Sequence, residues 1–379
     1  MSRPFLTIVL PVAFIGALQL VSCTPQDVAP AKPGGVYYSS SGGAKFDQSV
    51  DLVDEDESLL GYIDKFEANN IHRPAHEPST IYLTAGSEGV VVSNNDGESW
   101  QTVDVPLIRV TAFVSLKNGI WLASGTNEDN EGIVIRTLDK GESWDSVLTI
   151  PAATEEDGGF FQIIKPPPPA AIFVSSLVPD PFDEERVYAT TSTGDVLAGE
   201  DSGKVWHTTL RIKATRSDPL TGRGNTPVIK IIPSPHTPEE VMLISGDGSI
   251  IRANKDERKK LTMPRGRAVD IVYINQFPEA LFISLTSGVY VSRDKGETWV
   301  ELSVPISKSQ PLVNSIVRVS PTNPNRIIVS VNNIIYRSED GGDNWNTLSL
   351  ELPSHIITDI SINPKNAAKV ILTTIPFRT

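Results

Sequence analysis

The 379-residue chain has a single cysteine, Cys23, so no disulfide can form within one copy and no thiol remains downstream for nucleophilic chemistry. After the first twenty residues there is no long apolar run and no stretch with the 3.6-residue periodicity of an amphipathic helix. Positive charge is also scarce. The 33 Lys plus Arg face 46 Asp plus Glu, which argues against general nucleic-acid binding and against a broad basic face lying on a membrane. No phosphate-cradling glycine loop and no Ser-His-Asp constellation can be placed. What is plentiful is Pro, with 29, and Gly, with 27, a composition suited to many short strands joined by turns.

Residues 1–23, MSRPFLTIVLPVAFIGALQLVSC, carry one positive charge at Arg3, an apolar segment from Phe5 to Leu20 and a small residue, Ser22, before Cys23. This is the pattern of a secretory signal, which lies outside the fold. Its last four residues, Leu20-Val21-Ser22-Cys23, resemble a bacterial lipobox, and that resemblance implies that Cys23 is lipidated and becomes the first mature residue. Thr24 in place of Asp, by similarity to enterobacterial lipoproteins, favours the outer membrane where there is one. Residues 24–34, TPQDVAPAKPG, read as a Pro-rich tether. The expected location is the cell envelope, on the extracytoplasmic side, with the lipid anchor as the one membrane contact.

An octapeptide recurs in the remainder, residues 35–379. It appears as SNNDGESW at 93–100, TLDKGESW at 137–144, SRDKGETW at 292–299 and SEDGGDNW at 338–345. Weaker copies are GEDSGKVW at 199–206, ANKDERKK at 253–260, which has neither Gly nor Trp in place, and SSSGGAKF at 39–46. A short apolar strand precedes each strong copy, and another hairpin lies about twenty residues upstream, as in NSIVRVSPTNPNRIIVSV. The unit is therefore four strands, A to D, with the octapeptide as the C–D turn. Four antiparallel strands every 40 to 50 residues or so indicate a propeller blade. A–B hairpins fall at 62–85, 108–124, 171–190, 228–245, 269–285, 313–331 and 356–374, which makes seven. Only six C–D hairpins follow residue 85, and GGVYYSSSGGAKFDQSVDL at the N-terminus supplies the seventh. The reading is an all-β, seven-bladed ring whose last blade is completed by the first strands of the fold.

The octapeptide is similar to the Asp-box, S-x-D-x-G-x-[ST]-W, of the sialidase-type repeats found in sialidases, sortilin-like receptors, xyloglucanases and photosystem II assembly-factor propellers. In this chain the matching positions are Ser93, Gly97 and Trp100; Asp139, Gly141 and Trp144; Asp201, Gly203 and Trp206; Ser292, Asp294, Gly296 and Trp299; and Ser338, Asp340, Gly342 and Trp345. The residue types suit a β-turn in which Ser and Asp bond turn amides, Gly takes positive φ and Trp packs between neighbouring sheets. Because these residues recur around the ring, they are expected to be structural and not catalytic. The assembly-factor propeller, a single lipid-anchored ring with an arginine patch, is similar in architecture, although its G-W-x-V-G strand pattern is absent and the P-x-N-P turns here are of the sortilin and xyloglucanase type.

Function is therefore expected on the face built from the D–A and B–C loops, opposite the octapeptides. Two D–A connections there are long, at 149–170 and 208–227. The second carries Arg211, Lys213, Arg216 and Arg223, and the following D–A loop adds Arg265 and Arg267. Convergent arginines can grip carboxylates or phosphates or dock an acidic partner. Sialidase chemistry would need an arginine triad, a Tyr nucleophile and an early F-R-I-P segment, and the sequence shows only IPFRT at its C-terminus. Other glycosidases need two carboxylates across a cleft, and nothing singles out a pair among Asp129, Glu131, Glu155, Asp157 and Asp195. His72 and His76 fall in a Pro-containing A–B turn and make a poor zinc pair, while the acidic runs at 54–57 and 127–132 lack calcium-loop spacing. The expectation is a monomeric, non-catalytic scaffold that binds a protein partner without cofactor or metal. The alternative is a surface glycan-binding protein or a glycoside hydrolase of the same repeat type.

Overall fold

Runs such as Ile327–Val331, IIVSV, are buried at every residue, whereas Val205–Arg211, VWHTTLR, is mostly exposed. A strand covered on both faces by neighbouring sheets reads as continuous β-branched residues, and one at the rim reads as polar. That gradient from inner to outer strand is repeated around the chain. The computed structural model describes residues 35–63, 66–68, 70–151, 172–211, 228–306, 312, 315–331, 334–350 and 355–376.

Seven four-stranded antiparallel sheets form a seven-bladed β-propeller. Blades 1 to 6 span 70–103, 109–150, 174–211, 228–260, 268–301 and 315–349. Blade 7 takes strands A and B from His355–Ile362 and Val370–Pro376, and strands C and D from Gly35–Ser39 and Asp47–Gln48. At this closure Tyr37 lies opposite Leu372, and the Gly35 amide donates to Thr374 Oγ1 at 3.0 Å. The A–B, B–C and C–D order read from the repeats is the order observed.

The core is not one mass. The described residues form seven apolar clusters, one between each pair of adjacent blades. The innermost strands leave backbone edges facing the channel, and side chains from the adjoining blade cap them. Thr111 Oγ1 donates to the Val174 carbonyl at 2.5 Å and Arg318 Nε to the Ile360 carbonyl at 2.8 Å, while Thr358 Oγ1 donates at 3.0 Å to the carbonyl of Ala68, just before strand A of blade 1. Unpaired edge groups are costly when desolvated, and these bonds satisfy them.

The junction between blades 7 and 1 departs from the sequence reading. Strand D of blade 7 ends at Gln48, and Asp51–Val53 leaves it to pair with Leu59–Tyr62 as a separate hairpin. The Val53 amide bonds the Trp100 carbonyl and the Trp100 amide bonds the Asp51 carbonyl, so the hairpin leans on the rim of blade 1. Strand A of blade 1 accordingly starts at Asn70 and not near residue 62. Between them Ile63, Phe66 and Ala68 are buried in the cluster that joins blades 7 and 1.

Candidate functional site

The octapeptide turns are built alike in blades 1, 2, 5 and 6. In SRDKGETW, Ser292 Oγ donates to Asp294 Oδ1 at 2.7 Å and accepts the Gly296 amide at 2.7 Å. Asp294 takes the Thr298 amide at 2.9 Å and the Thr298 hydroxyl at 2.5 Å. Gly296 has φ of +86°, a conformation that L residues rarely adopt. Trp299 Nε1 donates at 3.1 Å to the Thr262 carbonyl, which lies just past the last strand of blade 4. Each such Trp faces the preceding blade: Trp144 packs with the cluster between blades 1 and 2, and Trp345 with that between blades 5 and 6.

Amide and hydroxyl donors around a carboxylate favour its charged form. Bonds from Thr298, Ser143 and Asn344 hold Asp294, Asp139 and Asp340 down at about 2. Stability from these depressed groups is therefore present above the ordinary value of 3.8 and is lost as pH falls toward 2. Carboxyl-carbon NMR titration should show three Asp midpoints near 2; three midpoints near 4 would contradict these turns.

Other copies depart in instructive ways. SSSGGAKF keeps the hydroxyl geometry without an acid: Ser39 Oγ accepts the Gly43 amide at 3.0 Å, and Ser41 Oγ accepts the Lys45 amide at 3.0 Å. Blade 3 has Gly199 where blades 1, 2, 5, 6 and 7 have Ser or Thr, so Asp201 has no hydroxyl partner and instead takes positive φ of 52°. Gly199 is there for the ring opposite it, since a Cβ would lie 2.8 Å from Trp206. In blade 4, Asn254 Oδ1 gathers the amides of Asp256 and Glu257, which makes a tighter turn.

The five C–D turns of blades 1, 3, 5, 6 and 7 each donate a backbone amide to the A–B turn of their own blade, as Lys295 does to Glu279. D–A loops meet B–C turns instead, as where the Ala268 amide bonds the Gly248 carbonyl. The two faces are thus separate, and the expected cations belong to the second. Arg211 at the end of blade 3 pairs with Asp195 at 2.5 Å, and Arg267 Nη2 donates to the Gly246 carbonyl at 2.5 Å. The Arg265 side chain is exposed in the same D–A loop. Lys213, Arg216 and Arg223 lie outside the described residues, as do Glu155, Asp157 and Cys23.

The channel holds charged residues that no repeat or motif in the sequence marks. Four successive inner strands each project one charged side chain: Lys230, Asp270, Arg318 and Asp359. Lys230 Nζ pairs with Asp270 Oδ1, Arg318 Nη1 meets Asp270 Oδ2 at 2.5 Å, and Arg318 Nη2 pairs with Asp359 Oδ1. The Val317 amide completes the Asp270 shell at 3.0 Å. Burial alone would push the Asp270 carboxyl up, but the Arg318 and Lys230 charges reverse that and hold it below the usual carboxylate range. The channel above this chain of ions has a volume of about 620 Å³ and its mouth on the A–B-turn face about 820 Å³.

At that mouth His72 ends strand A of blade 1 and does not sit in the A–B turn. Its Nε2 donates to the Ser115 carbonyl at 3.3 Å, and burial pushes the imidazole down to about 4. His72 is thus a neutral edge cap at neutral pH. Asp129 and Glu131 lie in the B–C turn of blade 2, whose amides are bonded by Asn127 Oδ1, and the acids at 54–57 form the tip of the rim hairpin. Among the described residues no group of three His, Cys, Asp or Glu is placed to hold a metal ion.

No family model matches the sequence, and no curated protein matches it. Solved structures do. YCF48 from Cyanidioschyzon merolae superposes with a TM-score of 0.56 at 13% identity, covering 81% of this chain and 96% of that one. A structure titled YCF48 bound to D1 peptide gives 0.55 at 15%, covering 83% and 94%. The GH74 xyloglucanase from Xanthomonas campestris gives 0.59 at 14% and covers 81% of this chain but 50% of its own. The shared feature is the propeller. At these identities the likeness establishes the fold and nothing finer.

Proposed function

We propose that this chain is a binding or assembly module that docks a protein partner through the loop face of blades 3 to 5, and that it is held at the extracytoplasmic side of the envelope by a lipid on Cys23. The observation that carries the non-catalytic half is the channel. A glycoside hydrolase needs a carboxyl group held protonated near neutral pH, whereas Asp270 is held ionised between two cations and Asp359 is paired with one of them. The octapeptide acids are spent on turn amides, and their similarity to the Asp-box supports the same structural role. On the loop face Arg211, Arg265 and Arg267 fall on neighbouring blades of an otherwise acidic protein, and Lys213, Arg216 and Arg223 continue that sector in sequence. The partner surface is then acidic. A ring of this fold has been seen with a peptide, in the YCF48 structure, which supports the peptide-binding reading without assigning the same ligand here.

Replacing Arg216, Arg223, Arg265 and Arg267 together by Ala should abolish co-purification of the partner with the detergent-solubilised chain while leaving the thermal midpoint in place. Unchanged capture would remove the loop face as the docking surface. The xyloglucanase likeness sustains a second reading, a surface glycan-binding protein. Saturable binding on a glycan array, unaffected by the four substitutions, would favour it.

A further inference from the structure

Every C–D turn puts one residue opposite its first position, and six of the seven are aromatic. Trp206 pairs with Gly199 directly, and the registers of the other blades place Trp100, Trp144, Trp299, Trp345 and Phe46 at the same point. Each ring fills the gap against the preceding blade. Blade 4 is the exception. Its shorter turn sets Arg258 opposite Ala253, and Arg258 is exposed.

The gap that an aromatic ring would fill there is open. A cavity of about 340 Å³ lies between blades 3 and 4. Its inner wall is Tyr188, Val196, Ala198 and Leu210 of blade 3, and Val241 and Ala253 close it from blade 4. Val196 and Leu210 hold the places that Ile250 and Leu261 hold one blade on, where Trp299 packs. The rim is polar and already organised: Arg186 reaches Glu200 at 3.0 Å and Glu239 at 3.2 Å, and Tyr188 donates to Asp180 at 2.9 Å.

We infer that this slot receives a tryptophan side chain from a segment of a partner protein, supplied in trans where blade 4 lacks its own. The apolar wall takes the ring, and an indole N–H has carboxylates and carbonyls at the rim to meet, as the five tryptophans of the C–D turns each find an acceptor. A chain segment suits the slot better than a free ligand because the ring in the other blades enters from the outer strand, carried on main chain. None of the loop-face cations among the described residues lines this slot, and it stands or falls apart from them.

The test is methyl NMR of the full-length chain in detergent, following Val196, Leu210 and Val241 during titration with N-acetyl-tryptophanamide. Saturable shifts are expected, with affinity about tenfold above that for N-acetyl-leucinamide, the increment an aromatic contact supplies. Arg258→Trp should fill the slot in cis and abolish the shifts, and Lys260→Ala should leave them intact. Should Arg258→Trp fail to fold, Ala198→Leu blocks the back wall instead. Absence of shifts, or shifts that persist in both blocked variants, would overturn the inference. Response to free tryptophan but not to the capped amide would point to a metabolite and overturn the partner segment, and shifts that appear on raising protein concentration alone would make a second copy the occupant.

Discussion

Trp100→Ala should lower the free energy of unfolding by about 3–5 kcal/mol, the range for removing a large buried aromatic. Trp100 is fully buried, its Nε1 donates to Ser49 Oγ at 2.8 Å, and its ring shares a cluster with Val36, Ile81, Leu83 and Ile371. Those residues come from blade 1 and from the first and last strands of the ring, which meet in blade 7, so the cavity would open at the seam. Half-buried Trp299 has an equivalent turn and donates to a backbone carbonyl, that of Thr262. Trp299→Ala should therefore lose clearly less, and urea denaturation of the two variants side by side gives the comparison. Equal losses would show that the closing seam has no special weight.

Arg318→Met should destabilise the ring by about 3–5 kcal/mol at pH 7, because it strands buried carboxylates without their cation. Asp270 is 2% exposed and would keep only Lys230 and one backbone amide. The sign of the pH dependence separates this from a packing defect. In the parent, a depressed Asp270 contributes stability above its ordinary value that is lost on acidification. With Arg318 gone the burial effect has less opposing it, the carboxyl rises, and the variant's deficit should shrink as pH falls from 7 toward 4. The triple variant Arg318→Met, Asp270→Asn, Asp359→Asn should recover part of the loss. A deficit that is flat with pH and not recovered would mean that the arginine acts through its methylenes alone.

Much of the ring was legible because each turn states its own reason locally. Ser or Thr first, Gly fifth and an aromatic eighth suffice, and Ser39, Gly43 and Phe46 meet that rule even where acid and Trp are gone. The rim hairpin was not legible, since Asp51–Val53 continues the apparent strand D and only contact with Trp100, far along the chain, turns it aside. The channel ions were hidden for a related reason. Their partners are 40, 48 and 41 residues apart, one blade at a time. A signal did exist in the lone charge inside each apolar inner strand, VIKIIP, AVDIVY, SIVRV and HIITDISI. The slot between blades 3 and 4 was half legible, as a repeat copy without its Trp, but a missing residue in sequence does not say whether the neighbours collapse into the gap. Here they do not.

The strand Gly35–Ser39 pairs with Val370–Pro376, and the Gly35 to Thr374 bond spans 339 positions. Contacts of such sequence separation form late. The first strand of the ring to be synthesised is consequently among the last to find its place, and until Val370–Pro376 arrives it is an exposed edge competent to pair with other chains. A chain without Val370–Pro376 would not yield a six-bladed ring but an open one with two sticky ends, so closure must wait for that strand to emerge.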